Sequence, residues 1–318
     1  MDCLSVCSLE VNTIKTLKFW LKAARARVLP VMILPVVIGS VAAFAWEQTF
    51  YPFYFILTLV GALAAHLFSN MINDLWDFRN GVDEKAEQSE ESISTNSRLL
   101  ANKKVSISTF AFVTWSLFAI AFAAGILLAL FRGWELLLFA LAGGLIAYFY
   151  VAPPLKFGYR GKGYSEIAIF LAFGVLPITG SYFVMTQSLP IDAFLLSIPI
   201  GLLTTLILFN HHFLHWRADQ AAGKKTLVVV WGEQGGLRFS KTLAVLAFTS
   251  IPILSLIGVL PWYANLALIA AIPFAKTYQT LAETNPSPVY GQLMGASLKA
   301  TIRTGLIIIV SLLLNGFI

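Results

Sequence analysis

The stretch VSISTFAFVTWSLFAIAFAAGILLAL, residues 105–130, decides the class of fold because none of its 26 residues is charged. A helix that crosses a bilayer needs about 20 consecutive, mostly apolar residues, and this stretch exceeds that length. A membrane β-strand would instead alternate apolar and polar residues, and residues 125–131 and 301–314 show no such alternation. We therefore expect a transmembrane α-helix here.

Similar apolar runs recur along the 318 residues and predict nine transmembrane helices. The runs are residues 28–46, 52–72, 105–130, 134–152, 165–187, 193–213, 238–258, 261–275 and 298–317. We expect an all-α polytopic membrane protein, a bundle of nine transmembrane helices around a central apolar cavity with polar cytoplasmic loops. Residues 1–318 are expected to form a single domain.

Composition supports this class and excludes others. Hydrophobic residues make up 58% of the chain and charged residues only 12%, against about 25% charged in soluble globular domains, and the mean hydropathy is +0.78. These values exclude a disordered chain, a nucleic-acid-binding domain and an ordinary water-soluble enzyme. The two cysteines, Cys3 and Cys7, cannot form a disulfide framework. No cleavable signal peptide is expected in residues 1–27.

The basic residues predict the orientation in the membrane. Of the 22 Lys and Arg residues, 21 lie in the N-terminal segment or in alternate loops, and Arg132 alone lies on the other side. We expect the protein in the cell (inner) membrane. The positive-inside rule places its N-terminus in the cytoplasm and its C-terminus on the outer side of that membrane. Residues 12–25 mix Lys with Leu, Phe and Trp, so residues 1–27 are expected to be a cytoplasmic tail with an interfacial helix.

The first polar cluster, NDLWDFRNGVD at residues 73–83, ends the second predicted span. Asn73 and Asp77 are four residues apart and share a helix face, and a glycine at 81 can release the helix so that Asp83 folds back. Carboxylates with carboxamide support suit Mg²⁺. Asp74 is a weaker ligand candidate because it is rotated by about 100° from Asn73. The alternative is a solvated acidic loop that caps a helix end.

The second polar cluster, NHHFLHWRADQAAGKKTL at residues 210–227, ends the sixth predicted span. His211, His215 and Asp219 recur every four residues and are expected on one helix face. Gly223 then stops the helix, and Lys224 places positive charge beside the carboxylate. This set suits a diphosphate ester with a bridging metal. An ordinary helix end, with a glycine cap and lysines answering the helix dipole, accounts for it equally well.

The third cluster, YVAPPLKFGYRGKGYSE at residues 150–166, follows the fourth predicted span. Its prolines and glycines predict a shaped loop, from which Lys156 and Arg160 could donate to phosphate oxygens. A plain loop on the positively charged face is the alternative.

Together, the three clusters on one membrane face indicate an enzyme whose substrate has a diphosphate head and a long hydrocarbon tail. A membrane di-iron oxygenase is disfavoured because the chain has only four histidines. A non-catalytic transporter is a second alternative, but transporters place polar groups near the bilayer midplane, whereas these groups gather at one surface.

The clusters resemble the motifs of the UbiA superfamily of intramembrane prenyltransferases. The pattern NDxxDxxxGxD at residues 73–83 resembles its first aspartate-rich motif, and DxxAGKxTL at residues 219–227 resembles the second motif of its 1,4-dihydroxy-2-naphthoate branch, which serves menaquinone and phylloquinone biosynthesis. The chain departs from the family pattern at His215, where an Asp is usual, and at Arg25-Ala26, where Arg-Pro is usual. Phytyl-transferring homologues also lack that Asp.

The resemblance implies Mg²⁺-dependent transfer of a prenyl chain from an isoprenoid diphosphate to an aromatic acceptor, 1,4-dihydroxy-2-naphthoate. The implied catalytic residues are Asp77, Asp83 and Asp219. The implied metal ligands are Asn73, Asp77, Asp83 and Asp219, and the implied diphosphate-binding residues are Lys156, Arg160, Lys224, Asn73 and His215. The implied partners are the two substrates and the lipid bilayer, with no nucleic acid. Chlorophyll synthase, geranylgeranylglyceryl phosphate prenyltransferases and other quinone prenyltransferases are alternatives within the superfamily.

The distribution of basic residues predicts the outcome of cysteine labelling. In a background without Cys3 and Cys7, cysteines introduced at positions 86 and 222 should react with an impermeant thiol reagent only from the cytoplasmic side. A cysteine at position 190 should react only from outside. Labelling of positions 86 and 222 from opposite sides would contradict a single active face.

Overall fold

The structure, a computed structural model, describes residues 17–80, 97, 99–221 and 223–318, and the regular secondary structure of these residues is entirely helical. The α-helices are α1 Leu17–Ala23, α2 Pro30–Glu47, α3 Pro52–Arg79, α4 Ile107–Arg132, α5 Leu136–Phe149, α6 Tyr164–Phe170, α7 Leu176–Thr186, α8 Ile191–His212, α9 Trp216–Ala221, α10 Leu227–Leu256, α11 Ala271–Gln279 and α12 Ser287–Phe317. A π-helical segment, Leu171–Val175, joins α6 to α7, and a 3₁₀ helix, Trp262–Ala270, leads into α11. The predicted all-α class is confirmed.

Among the described residues, seven helical segments are long and apolar enough to cross a membrane. They are Ala26–Glu47, Pro52–Arg79, Ile107–Arg132, Tyr164–Thr186, Ile191–His212, Leu227–Leu256 and Ser287–Phe317. The other two predicted spans are shorter helices: residues 134–152 contain the 14-residue α5, and residues 261–275 contain the 3₁₀ helix and the start of α11. A multi-pass membrane protein is therefore confirmed, whereas the total of nine crossings stays a prediction.

Two predicted helix boundaries were wrong. α10 begins at Leu227 instead of residue 238, and α12 begins at Ser287 instead of residue 298. The added turns are amphipathic and bury one face, as Glu233 and Tyr290 show. A search for continuous apolar runs does not detect such turns because polar residues on the other face interrupt the run.

α2 and α7 pack closely at Gly39. A Cβ atom at Gly39 would lie 2.1 Å from the carbonyl oxygen of Ile178 and 2.2 Å from Ser181 Oγ, so a larger residue does not fit there without a shift of the helices. Small residues allow membrane helices to pack backbone against backbone in this way.

A buried polar cluster joins α8, α10 and α12 near the end of α8. Asn210 Nδ2 donates to Ser297 Oγ at 2.8 Å, and Ser240 Oγ donates to Asn210 Oδ1 at 2.5 Å. All three residues are fully buried, and hydrogen bonds in a medium of low dielectric constant strengthen one another. The cluster therefore holds the end of α8 in place just before the second polar cluster of the sequence.

Arg132, the exception in the charge distribution, has a structural role at the opposite end of the bundle. Its guanidinium donates to the carbonyl oxygens of Val184 at 2.6 Å and Met185 at 2.7 Å, near the end of α7. It also lies over the rings of Tyr51 and Tyr54, 4.9 Å and 5.1 Å from their centroids. Arg132 thus satisfies carbonyl groups that a helix end leaves without partners.

The described part of the predicted interfacial helix is α1. It packs onto the bundle, because Ala23 and Ala24 are buried in one apolar cluster with Met71 and Leu75 of α3. Asn70 Nδ2 donates to the carbonyl oxygen of Ala24 at 3.0 Å. These contacts bring the N-terminal segment close to the first polar cluster.

Candidate active site

The three polar clusters meet at one end of the bundle, and Tyr159 joins them. Its hydroxyl donates to Asp77 Oδ1 at the end of α3, and its carbonyl oxygen accepts from the Lys225 amide at 3.1 Å. The Lys224 ammonium lies 4.9 Å from the centroid of its ring. Burial, and then the charge of Asp77, raises the pKa of Tyr159, so its hydroxyl keeps its proton and acts as a donor.

Asp77 and Asp219 are buried carboxylates of this site, with exposed fractions of 9% and 6%. Lys224 Nζ lies 3.6 Å from Asp219 Oδ1. Burial raises the pKa of Asp219; the Lys224 ammonium opposes this shift, and the negative charge of Asp77 adds to it. The two carboxylates therefore sense each other across the site, with Lys224 supplying compensating charge.

Asp74 faces a different environment from Asp77. It accepts hydrogen bonds from the Arg25 guanidinium and, at 3.0 Å, from the amide of Ser97. These bonds occupy both oxygens of its carboxylate, which agrees with its rank as the weaker ligand candidate.

Asn73 places an amide oxygen in the site. Its Oδ1 is buried without a hydrogen-bond partner among the residues that the structure describes. A buried carbonyl oxygen that lacks a partner is costly, so this oxygen is suited to a ligand.

The helix that was predicted to carry His211, His215 and Asp219 is not continuous. α8 ends at His212 and α9 begins at Trp216, because the intervening residues form a tight turn. The rings of His211 and His215 still lie 5.0 Å apart, and the amide of Asp219 donates to the carbonyl oxygen of His215 at 2.7 Å. His211, His215 and Asp219 therefore stay close together, as expected, although a turn separates α8 from α9.

His215 is neutral at physiological pH. Burial lowers its pKa to about 4, and the positive charges of Lys224 and Arg25 act in the same direction. A neutral imidazole donates through one nitrogen and accepts through the other.

Gly223 ends α9 as the sequence predicts. Its φ of 75° lies in the left-handed region that favours glycine. The next amide, that of Lys224, donates to the carbonyl oxygen of Asp219 at 2.8 Å. The turn therefore returns the chain over the end of α9 and brings the Lys224 side chain to the Asp219 carboxylate.

The remaining predicted residues differ in position. Lys156 Nζ donates to Asn80 Oδ1 at 2.8 Å, beside the end of α3. Arg160 is exposed and donates to the carbonyl oxygens of Leu155 at 2.7 Å and Pro154 at 3.4 Å, within its own loop. Asp83 lies outside the described residues, as does the turn that was expected at position 81.

The donor set suits a hard divalent cation that also binds phosphate. Within residues 17–80, 97, 99–221 and 223–318, no three His, Cys, Asp or Glu side chains come close enough together to hold a metal ion. Asp77 and Asp219 influence each other's charge, and Asn73, with its unpartnered amide oxygen, lies one helical turn before Asp77. Mg²⁺ is usually bound by one or two carboxylates plus substrate phosphates. The residues present therefore suit Mg²⁺ bound together with a diphosphate.

A cavity of about 2100 Å³ opens beside this site. Arg25, Asn73 and His211 line one end, and most of the remaining wall is apolar and comes from α2–α5, α7, α8 and α12. Asp77 follows Asn73 by one helical turn, so the polar site lies next to this part of the cavity wall. This arrangement matches the predicted central cavity.

Sequence reasoning missed the structural roles of Tyr159 and Arg25. In the sequence, Tyr159 is an aromatic residue in a cation-rich loop, and Arg25 is one of the basic residues of the N-terminal segment. A tyrosine between Lys156 and Lys162 was the available signal, but its partner, Asp77, is 82 positions away.

Comparisons with known proteins agree with this fold. The UbiA prenyltransferase family model matches residues 32–294. A 2-carboxy-1,4-naphthoquinone phytyltransferase of Synechocystis is 29% identical over 82% of this chain and 81% of its own. A 1,4-dihydroxy-2-naphthoate octaprenyltransferase of Escherichia coli is 25% identical over 93% and 95%. The structure of a UbiA homologue from Archaeoglobus fulgidus bound to GPP and Mg²⁺ superposes with a TM-score of 0.62 at 18% identity, over 92% of this chain and 99% of that one. This last likeness concerns the fold alone.

Replacement of Tyr159 by Phe tests its connecting role. We expect Tyr159→Phe to lower the free energy of unfolding by about 1–3 kcal/mol, because it removes a hydrogen bond to a charged, buried group. The measurement is thermal unfolding of the purified protein in detergent. Tyr164→Phe, on a ring that is 45% exposed, is the matched control. Equal melting temperatures for the two variants would contradict the role of Tyr159.

Proposed function

This chain belongs to the UbiA prenyltransferase family, and we propose that it transfers a prenyl chain from an isoprenoid diphosphate to 1,4-dihydroxy-2-naphthoate. The observation that carries the proposal is that Tyr159 and Lys224 connect Asp77 to Asp219, next to a large, mostly apolar cavity that Asn73 and His211 line. The names of the relatives from Synechocystis and Escherichia coli support a naphthoate acceptor.

We propose that Asn73, Asp77 and Asp219 hold Mg²⁺, together with Asp83. The unpartnered Asn73 oxygen and the two buried carboxylates support this ligand set, as does the fold shared with a homologue bound to GPP and Mg²⁺. When bound, Mg²⁺ neutralises the diphosphate and stabilises the charge that develops on the leaving group.

The chain's own cations complete the binding of the diphosphate. Lys224 lies 3.6 Å from Asp219 and can turn its ammonium to a phosphate oxygen. Lys156 reaches the same region from its loop and contacts the end of α3 through Asn80, and neutral His215 can donate a hydrogen bond. Arg160 would also bind the diphosphate, by breaking its hydrogen bonds to carbonyl oxygens of its own loop and donating to phosphate oxygens instead. Tyr159 acts as a positioning residue because it orients the Asp77 carboxylate.

The cavity protects the reacting carbon from water. As the bond between the allylic carbon and the diphosphate oxygen breaks, that carbon becomes cationic, and an electron-rich carbon of the acceptor ring attacks it. In the naphthoate branch, the carboxylate of the acceptor is lost with prenylation. The apolar wall of the chamber excludes the water that would otherwise trap the cation.

We further propose that the protein lies in the cell (inner) membrane as one domain with nine crossings. Its N-terminus would be cytoplasmic and its C-terminus outside. The distribution of basic residues supports this orientation. The site would then face the cytoplasm.

The assay combines membranes that contain the protein with Mg²⁺, aromatic acceptors including 1,4-dihydroxy-2-naphthoate, and prenyl diphosphates of several lengths, with products identified by mass. We expect a prenylated naphthoate from wild type. Asp77→Asn, Asp83→Asn and Asp219→Asn should each lower turnover by at least about 100-fold, since each removes a charge from the metal site. Asp192→Asn, at the exposed start of α8, is the control. Normal turnover by Asp77→Asn at saturating Mg²⁺ would contradict the proposal that Asp77 is a metal ligand.

His215 gives a separate test of the second half of the site. His215→Ala should lower turnover, and His215→Asp should restore it and lower the Mg²⁺ concentration needed for half-maximal rate, because a carboxylate binds Mg²⁺ better than an imidazole does. Mg²⁺ titrations of the three proteins measure this. If the three Mg²⁺ titration curves superimpose, His215 has no role in metal or diphosphate binding and only packs at the end of α8.

A further inference from the structure

Two polar side chains deep in the cavity wall have no function in the proposed diphosphate site. His66 of α3 and Thr204 of α8 both line the cavity, and each is only 4% exposed. His66 Nδ1 and Thr204 Oγ1 have no hydrogen-bond partner among the described residues. Buried polar atoms in native proteins are almost always paired, so each of these two atoms can take a partner from a ligand in the cavity.

The helices themselves do not satisfy these groups. A threonine in a helix commonly donates to the carbonyl four residues earlier, and Thr205 does so to Gly201 at 2.8 Å. Thr204 does not. The His66 ring contacts Phe173 edge to face, with centroids 5.1 Å apart. Phe173 belongs to the π-helical segment Leu171–Val175, and such segments are frequent at functional sites.

Each of the two groups lies two helical turns before a polar residue near the end of its own helix. His66 precedes Asn73 by seven residues on α3, and Thr204 precedes His211 by seven residues on α8. Seven residues make about two turns, so each pair shares a helix face and is separated by about 10 Å along the axis. All four residues line the cavity. His66 and Thr204 therefore form a second polar level of the cavity wall, about two helical turns along their helices from Asn73 and His211.

A prenyl tail has no polar atoms and would leave this second level unsatisfied, whereas a hydroxylated aromatic ring could satisfy it. We propose that His66 and Thr204 form a subsite that hydrogen-bonds a hydroxyl group of the aromatic acceptor and selects hydroxylated rings. A neutral imidazole and a threonine hydroxyl can each donate or accept, which suits a hydroxyl ligand. This inference rests on the proposed function.

The test measures kcat and KM of the full-length protein for each substrate separately. We expect His66→Phe and Thr204→Val to raise the KM for the acceptor by about tenfold, the effect of one lost hydrogen bond. The KM for the prenyl diphosphate should stay within about twofold. His66→Asn, which keeps a polar group near the position of Nδ1, should recover part of the acceptor affinity. Thr58→Val is the matched control, because Thr58 lines the same cavity but already donates to Tyr54 at 2.7 Å.

Acceptor analogues give a readout that a merely structural role would not change. Wild type should prefer 1,4-dihydroxy-2-naphthoate over 1-hydroxy-2-naphthoate, and His66→Phe and Thr204→Val should reduce that preference toward equality. An unchanged acceptor KM and an unchanged preference in all three variants at these two positions would overturn the subsite, with water then the partner of these groups. If wild type prenylates only a different aromatic acceptor, the proposed naphthoate acceptor is overturned. The KM of the variants for that other acceptor then tests the subsite. No prenylated product from wild type with any aromatic acceptor would overturn both.

Discussion

The active end of the bundle depends on holding two buried carboxylates close together although their charges repel. Tyr159 donates to Asp77, its ring lies beneath the Lys224 ammonium, and Lys224 pairs with Asp219. A phenol, an aromatic face and an ammonium thus connect the two carboxylates before any substrate binds. This arrangement fixes the surroundings of both carboxylates in advance, which is the kind of preorganisation that the proposed cation site needs.

We expect the polar site at the membrane surface because of the helices that lead to it. α3 and α8 each contribute apolar residues to the cavity wall and end in polar residues at its head. A charged group in the hydrocarbon region is costly, whereas one at a helix end can reach the interface. The same two helices therefore place the proposed diphosphate site at one end of the bundle, next to the apolar chamber.

Irregular backbone does much of the positioning. The break between α8 and α9 turns the chain at residues 213–215, and Gly223 returns it over the end of α9. Asn210 anchors the preceding turn of α8 to two other helices. Because the flanking segments are anchored, the turn holds Asp219 and Lys224 in a defined geometry. Uninterrupted helices would have carried these side chains past the site.

Much of the class and chemistry could be predicted from the sequence. A bilayer leaves no water to satisfy backbone groups, so long apolar runs had to become helices, and the motif around Asp77 and that around Asp219 identified the two acidic positions. Boundaries such as the start of α10 at Leu227 were decided by amphipathic packing against other helices. The roles of Tyr159 and Arg25 were decided by tertiary structure alone, because each depends on an aspartate dozens of residues away. Local patterns specify which backbone conformation is stable, whereas contacts between distant segments arise only when the whole bundle has packed.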